Sequence, residues 1–142
     1  MTTVRQLLNE KGGTVWSVRP TDTVLTAIRL MDEKNVGSLL VMDGERVVGI
    51  VTERHYARNV MLKGRASPST PVSEIMETRV LWVEPTQTVE ECMALMTAKF
   101  VRHMPVIENG RVIGILSIGD LVKSIISEQQ LVIEQLEHYI RG

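Results

Sequence analysis

Residues 18–24 read VRPTDTV and residues 83–89 read VEPTQTV, so one seven-residue stretch occurs twice, 65 positions apart, with two substitutions. The match continues without a gap, and over residues 18–57, 14 of the 40 positions are identical to those 65 residues further on. A weaker match, shifted by three more positions, aligns residues 4–8 (VRQLL) with residues 72–76 (VSEIM). Self-similarity at a fixed period indicates a repeated structural unit. The sequence therefore predicts a duplicated unit of about 60 to 65 residues.

Each copy shows the same order of predicted elements. A short strand, at residues 15–18 or 80–83, precedes a proline, and the oxygens of TDT (21–23) and TQT (86–88) then favour a helix start. After each helix come two apolar strands joined at Asp43-Gly44 or Asn109-Gly110, dipeptides typical of hairpin turns that need positive φ. A closing helix is expected to start near Thr52 and near Ser117. The predicted fold class is therefore α/β (α+β), with two β-α-β-β-α units.

The domain organisation follows from the duplication. Neither unit buries much apolar surface alone, so we expect the two to pack about a pseudo-twofold axis. Residues 65–71 (RASPSTP) are polar and contain two prolines, which predicts a linker. The first unit then spans residues 1–64 with the N-terminal segment, and the second spans 72–142 with a long C-terminal helix.

Composition excludes several classes of function. The formal net charge is −1, the pI is about 6.3 and no basic stripe is present, which argues against nucleic-acid and anionic-membrane binding. A single cysteine, Cys92, rules out an intramolecular disulfide, and it shares no metal-ligand spacing with the three histidines. No apolar run approaches the ~18 residues of a membrane span, and the N-terminus lacks a signal core. We therefore expect a cytoplasmic protein without a metal site.

The repeat resembles the cystathionine β-synthase (CBS) domain, in the tandem pair that stands alone in many bacteria. The resemblance rests on residues 49–55 (GIVTERH), 102–106 (RHMPV) and 114–120 (GILSIGD), and it covers essentially the whole chain. It implies that AMP, ADP, ATP, NAD(H) or S-adenosylmethionine binds in clefts between the two repeats. It also implies a homodimeric energy or redox sensor that acts on a protein effector and requires no cofactor. Because no G-x-G-x-x-G, P-loop or recognisable nucleophile motif is present, an enzyme is not expected.

The second copy carries the chemistry expected for such a ligand. A carboxylate such as Asp120 accepts hydrogen bonds from both hydroxyls of a ribose, and the N-terminus of the closing helix suits a phosphate. Ser117-x-x-Asp120 is also close to a capping box, and the two roles can coexist. Gly114 is expected to leave room for a flat base.

The first copy departs from this pattern, because Thr52 matches Ser117 but His55 stands where the family usually has aspartate. A neutral imidazole accepts only one hydrogen bond, and a protonated one accepts none. This site is therefore weaker, binds a ligand whose ribose carries negative charge, or stays empty. We expect unequal sites, with the Asp120 site the stronger.

The remaining candidates have apolar or cationic roles around the nucleotide. Apolar side chains such as Leu81, Val83, Met104 and Val106 would flank the adenine, and arginines would contact phosphates, with Arg19 and Lys123 as further cations. The full set of candidate ligand-binding residues is Val18, Gly37, Ser38, Thr52, Arg54, His55, Arg58, Leu81, Val83, Arg102, His103, Met104, Pro105, Ser117 and Asp120.

The stretch 117–141 is long for a closing helix and carries an apolar stripe near helical spacing. The stripe comprises Leu121, Ile125, Val132, Leu136 and Tyr139, with Val122, Ile126, Ile133 and Ile140 beside it. We expect it to form a dimer contact, and the alternative is packing onto the N-terminal segment. Two functions follow from the sequence: a nucleotide sensor that signals through dimer shape or a partner, or a dimeric scaffold with vestigial ligand sites.

Overall fold

A computed structural model describes residues 1–141, and describes side chains through residue 139. That part of the chain holds α1 (Val4–Lys11), β1 (Ser17–Val18), α2 (Val24–Lys34), β2 (Ser38–Asp43), β3 (Arg46–Thr52), α3 (Glu53–Tyr56), α4 (Val89–Lys99), β4 (His103–Glu108), β5 (Arg111–Ser117) and α5 (Ile118–Arg141). A π-helical turn, Ala57–Met61, follows α3, and a 3₁₀ turn, Val72–Glu74, precedes α4. The mixed α/β class predicted from the sequence is confirmed.

The chain forms two compact units that cut across the sequence repeats. Val15–Leu81 forms one unit, and Met1–Thr14 groups with the chain from Trp82 onward to form the other. The N-terminal segment, placed by sequence with the first copy, thus packs in the unit built on the second copy. Residues 65–81 likewise complete the unit of the first copy.

The two segments that cross the repeat boundary make equivalent contacts. The Val4 N–H donates to the Gln87 carbonyl at 2.8 Å, and the Val72 N–H donates to the Asp22 carbonyl at 2.8 Å. Val4 and Val72 are equivalent under the offset of 68 residues that relates the two segments, and Asp22 and Gln87 are equivalent under the offset of 65 that relates the two copies. The weak match between residues 4–8 and 72–76 therefore identifies a real structural element of each unit.

In the unit Val15–Leu81, β1 runs parallel to β2, and β2 pairs antiparallel with β3. In the other unit β4 and β5 form the same antiparallel hairpin, and both hairpins shift register at the same place, after Val41 and after Val106. At the β1 position of this unit, Val83 makes only an isolated parallel bridge to Val106.

The predicted strands at residues 15–18 and 80–83 were therefore too long. In the first copy the Leu40 N–H extends the β1 ladder by donating to the Trp16 carbonyl at 3.3 Å. Pro105 holds the equivalent position in the second copy and has no N–H to donate. In the second copy the strand pairing is therefore limited to the hydrogen bonds of Val83, whose N–H donates to the Pro105 carbonyl at 3.1 Å.

The two hairpins close with two-residue loops of different backbone type. Asn109 and Gly110 both have positive φ, 53° and 77°, as a type I′ turn requires. In the first copy β2 runs through Asp43, and only Gly44 in the loop has positive φ, at 64°, which is the pattern of a type II′ turn. This turn lies one residue later than the predicted Asp43-Gly44.

The helices begin where the sequence predicts. Thr23 and Thr88 cap α2 and α4, since their Oγ1 atoms accept from the N–H of Thr26 (3.2 Å) and of Glu91 (3.1 Å). The fully buried Val24 and Val89 open the apolar faces of these helices. The closing helices differ: α3 ends at Tyr56 and gives way to the π-helical turn, whereas α5 continues to Arg141. None of the helices within residues 1–141 is both long and apolar enough to cross a membrane.

Candidate functional site

The Asp120 corner, defined as Ser117, Asp120 and Lys11, lies where β5 ends and α5 begins. The Ser117 N–H donates to Asp120 Oδ2 at 2.8 Å, and the Asp120 N–H donates to Ser117 Oγ at 3.1 Å. This reciprocal pair follows the geometry of a capping box and fixes the carboxylate at the helix start. Lys11, the last residue of α1, adds a third contact, with its Nζ 2.6 Å from Asp120 Oδ2.

The surroundings of Asp120 keep its carboxylate ionised. Burial acts to raise the pKa of Asp120, but hydrogen bonds from Lys11 and Ser117 and the Lys11 charge outweigh it, and the pKa is lowered. The Ser117 N–H and the Lys11 ammonium both donate to Oδ2. An ionised carboxylate with Oδ1 outside these contacts is suited to accept from a ligand hydroxyl.

The amides of the first turn of α5 are partly occupied. The Ile118 N–H donates to the Arg102 carbonyl at 2.8 Å, and that of Asp120 is held by Ser117. Within the described residues, this leaves the Gly119 N–H as the amide of that first turn that can meet an anion.

The His55 corner, defined as Thr52, His55 and Glu77, is the equivalent place in the unit Val15–Leu81. The Thr52 N–H donates to His55 Nδ1 at 3.1 Å, and the His55 N–H donates to Thr52 Oγ1 at 3.2 Å. His55 thus performs the same capping task as Asp120. Because Nδ1 accepts a hydrogen bond from a backbone amide, this nitrogen carries no proton.

His55 is a neutral imidazole at ordinary pH. Burial lowers its pKa, Glu77 acts in the opposite direction, and the charges of Arg54 and Arg58 add to the lowering. With Nδ1 accepting, the proton lies on Nε2, so the ring offers a ligand a donor where Asp120 offers an acceptor. The predicted inequality of the two corners therefore has a definite chemical form.

The middle strand of each unit starts beside its corner. Ser38, the first residue of β2, pairs with Thr52, and His103, the first residue of β4, pairs with Ser117. Gly37 and Arg102 precede these strands, and their carbonyls accept from the first amide of α3 and of α5. The structure thus places five predicted residues in or beside each corner. They are Gly37, Ser38, Thr52, Arg54 and His55 at the His55 corner, and Arg102, His103, Met104, Ser117 and Asp120 at the Asp120 corner.

Several predicted apolar contacts lie in the interiors of the units. The side chains of Val83, Met104 and Val106 are fully enclosed, Val18 and Pro105 are buried, and Leu81 is half-buried. In this conformation the enclosed side chains present no surface to an adenine ring, so their role stays a prediction. Leu81 also belongs to the unit of the first copy and not to that of Asp120.

The predicted cations are exposed. Arg54 and Arg58 lie on α3 and the π-helical turn, and their charges reach His55. Lys123 is exposed on α5, and the Arg19 guanidinium lies 3.9 Å from Asp22. Two charged residues of the corners, Lys11 and Glu77, were missed by sequence reasoning, since nothing in the pattern places α1 or residue 77 beside a helix start.

The prediction that Gly114 leaves room for a base was wrong. A Cβ on Gly114 would lie 2.6 Å from Leu8 Cδ2, and one on Gly49 would lie 2.6 Å from Met76 Sδ. Leu8 and Met76 are equivalent residues of the two segments that cross the repeat boundary. These glycines therefore admit an apolar side chain of the same unit, which explains why both copies keep them.

The remaining groups of interest are the potential metal ligands and the single cysteine. Within residues 1–141, no three His, Cys, Asp or Glu side chains gather as a metal site would require. Burial, together with the charges of Glu91 and Glu90, raises the pKa of the Cys92 thiol to about 11. Cys92 is therefore a buried, unreactive residue of α4.

The comparisons with known proteins agree on one family. A family model described as the CBS domain matches residues 4–61 and 72–127. The CBS domain-containing protein CBSX3, mitochondrial, from Arabidopsis thaliana is 37% identical over 151 residues, covering 99% of this chain and 73% of that protein.

Solved structures match as well. A protein with CBS domains from Burkholderia ambifaria MC40-6 is 53% identical, with a TM-score of 0.86 over 90% of this chain and 96% of that one. The CBS domain pair of protein MJ0100, solved in complex with 5′-methylthioadenosine and S-adenosyl-L-methionine, has a TM-score of 0.80 over 90% of this chain and 98% of that one. At 19% identity, the second likeness concerns the fold alone.

Proposed function

The chain belongs to the CBS-domain family, and from this membership and the two corners we propose that it is a cytoplasmic, non-catalytic sensor of adenosine-containing ligands. The ligand is AMP, ADP, ATP or NAD(H), and the principal site is the Asp120 corner. The sensor signals by a change of conformation to a protein effector. The observation that carries the proposal is the ionised Asp120 carboxylate, fixed at the start of α5 beside the first residues of β4.

The chemistry of the Asp120 corner matches a ribose phosphate. The carboxylate accepts from ribose hydroxyls in charge-assisted hydrogen bonds, and the Gly119 N–H stands at the positive end of a long helix. The CBS domain pair of MJ0100, a protein of the same fold, was solved with two adenosyl ligands.

The His55 corner takes a different part in the proposal. Its Nε2–H donates rather than accepts, and the exposed Arg54 and Arg58 add positive charge. The two hydroxyls of a ribose therefore bind less favourably at the His55 corner than at a carboxylate, whereas an anionic group binds more favourably. We therefore place the weaker nucleotide affinity at this corner.

The test is isothermal titration calorimetry of the stripped protein against AMP, ADP, ATP, NAD, NADH and S-adenosylmethionine. Asp120→Ala should weaken binding by about 1.5 to 3 kcal/mol, the range for a hydrogen bond to a charged group. Asp22→Asn is the matched control, because Asp22 also accepts from a backbone N–H (Arg19, 2.8 Å) but lies outside the corner. Unchanged affinity in Asp120→Ala removes Asp120 from the site, and no binding across the panel refutes the sensor.

A second function, a dimeric scaffold with vestigial ligand sites, is favoured by the apolar side chains exposed along α5, among them Ile126, Leu131 and Leu136. An ultraviolet spectrum of the purified protein separates the two cheaply. Co-purified nucleotide adds absorbance near its own band in the sensor and adds none in the scaffold.

A further inference from the structure

Lys11 joins the N-terminal segment to the Asp120 corner. Its Nζ donates to Asp120 Oδ2 at 2.6 Å and also donates to the Ile115 carbonyl on β5. The side chain of Lys11 is 31% exposed and that of Asp120 is 22% exposed, so a ligand in solution can reach both.

The hydrogen bonds on Asp120 leave limited room for a ribose. A carboxylate oxygen has two lone-pair positions. On Oδ2 the Ser117 N–H and the Lys11 ammonium already supply two donors. A ribose that brings one hydroxyl to each carboxylate oxygen therefore competes with one of these two donors.

Lys11 is the donor that yields. The Ser117 N–H belongs to the backbone of β5 and helps to close the helix cap, whereas the Lys11 ammonium sits on a flexible four-carbon stem. Once it leaves Oδ2, the ammonium lacks its carboxylate partner. A ligand with its own anionic group supplies a new partner, and a neutral nucleoside does not.

We propose that Lys11 determines specificity at the Asp120 corner, by opposing neutral nucleosides at Oδ2 and by pairing with the anionic group of a charged adenosine ligand. This inference rests on the proposed function and goes beyond it, because it states which chemical form of adenosine the site selects.

The first copy has no equivalent device. The offset of 68 places Arg79 at the position of Lys11, and His55 stands in place of Asp120. Because position 55 holds no carboxylate with which a cation could pair, a cation cannot compete there with a ribose. We therefore assign this selection of ligands to the Asp120 corner.

The experiment measures the dissociation constants of adenosine and AMP by calorimetry and compares their ratio among variants. In the wild-type protein AMP should bind more tightly than adenosine. In Lys11→Met the preference should fall by about tenfold, the equivalent of one charge-assisted hydrogen bond, with adenosine binding improved and AMP binding weakened.

Two controls define the charge effect. Lys11→Arg keeps the charge and should keep the preference. Arg5→Met removes a charge from the same helix, where Arg5 pairs with Glu108, and should also leave the preference unchanged. A structural role for Lys11 would change both affinities together and leave their ratio alone.

The outcomes separate the two proposals. If both ligands bind but Lys11→Met keeps the wild-type ratio, the role of Lys11 is refuted and the sensor stands. If neither adenosine nor AMP binds the wild-type protein, the selection by Lys11 is refuted. The proposed function fails as well only if the other nucleotides of the calorimetric panel also fail to bind.

Discussion

Asp120 and His55 occupy equivalent positions in the two copies, and each closes a reciprocal pair of hydrogen bonds with the residue three positions before it. The same backbone task is thus performed by an acceptor-only carboxylate in one unit and by a neutral imidazole in the other. The pattern Ser-x-x-Asp was readable from the sequence as both a cap and a ligand group. Lys11 was not, because it is 109 positions from Asp120 and only the packing of α1 brings them together.

The lowered pKa of Asp120 predicts a contribution to stability with a definite sign. A carboxyl group whose pKa is lowered by folding stabilises the folded protein at pH values above the pKa of the unfolded state. That stabilisation is lost as the pH falls towards the lower pKa of the folded state. Asp120→Asn should therefore lower the free energy of unfolding more at pH 7 than at pH 3, measured by urea denaturation. In a Lys11→Met background the difference between the two pH values should shrink. An equal effect of Asp120→Asn at both would contradict the ionised, paired state.

Replacing His55 by aspartate tests whether a carboxylate restores nucleotide binding at the His55 corner. His55→Asp places a carboxylate where the second copy has Asp120, with Thr52 in the place of Ser117 as its cap partner. We expect tighter adenosine binding at this corner and a calorimetric stoichiometry closer to two ligands per chain. His55→Asn, which can keep the cap through its amide oxygen but carries no charge, is the control. A gain shared by both variants would show that the charge is not what the corner lacks.

At the scale of elements, the sequence predicted most of the strands and helices because both copies repeat the same apolar pattern and turn residues. The departures have local causes. Pro105 removes a ladder N–H, and Gly44 alone takes the positive φ of its loop. The π-helical turn at Ala57–Met61, in which Val60 is buried, left no signal in the pattern of the sequence.

The packing of β3 against the segment that follows the linker is tested by Gly49→Ala. The added Cβ would lie 2.6 Å from Met76 Sδ and 3.0 Å from the Glu77 carbonyl oxygen, which is held by the Ile50 N–H at 3.0 Å. Met76 can move, but the paired backbone cannot, so we expect a loss of about 1 to 3 kcal/mol in the free energy of unfolding. Gly37→Ala, whose Cβ would meet its nearest atom at 3.8 Å, should cost much less. Similar losses of stability in the two variants would show that the segment containing Met76 and Glu77 moves away from β3 at little cost.

At the scale of the whole molecule, the duplication was visible but the composition of each compact unit was not. Sequence order groups residues 1–14 with the first copy, yet their hydrogen bonds go to Pro85, Gln87 and Val89 in the second. The change of offset from 65 to 68 was the available signal, because it shows that this segment is not in register with the rest of the repeat. Where such a segment packs depends on the path of the chain in space.

The predicted dimer depends on the C-terminal half of α5. All residues from 129 to 139 are exposed, and they include Leu131, Val132, Ile133, Leu136 and Tyr139, whereas Leu121 at the start of the helix is fully buried. Ile140, also part of the predicted stripe, has a side chain outside the described residues. Packing onto the N-terminal segment would have covered these side chains, and they are exposed. The prediction that a second copy covers them therefore stands as the alternative to test.

Truncation after Ser127 should therefore give monomers by multi-angle light scattering. A cooperative thermal transition should be retained, because residues 129–139 of the removed segment are all exposed. Leu136→Glu in the full chain tests the same surface without shortening the helix, since a charge buried in an apolar contact lacks a partner. Glu134→Gln is the matched control on the same turn of α5 and should leave the dimer intact. A dimer that survives both truncation and Leu136→Glu would place the contact elsewhere, and a full-length monomer would remove the scaffold as an alternative to the sensor.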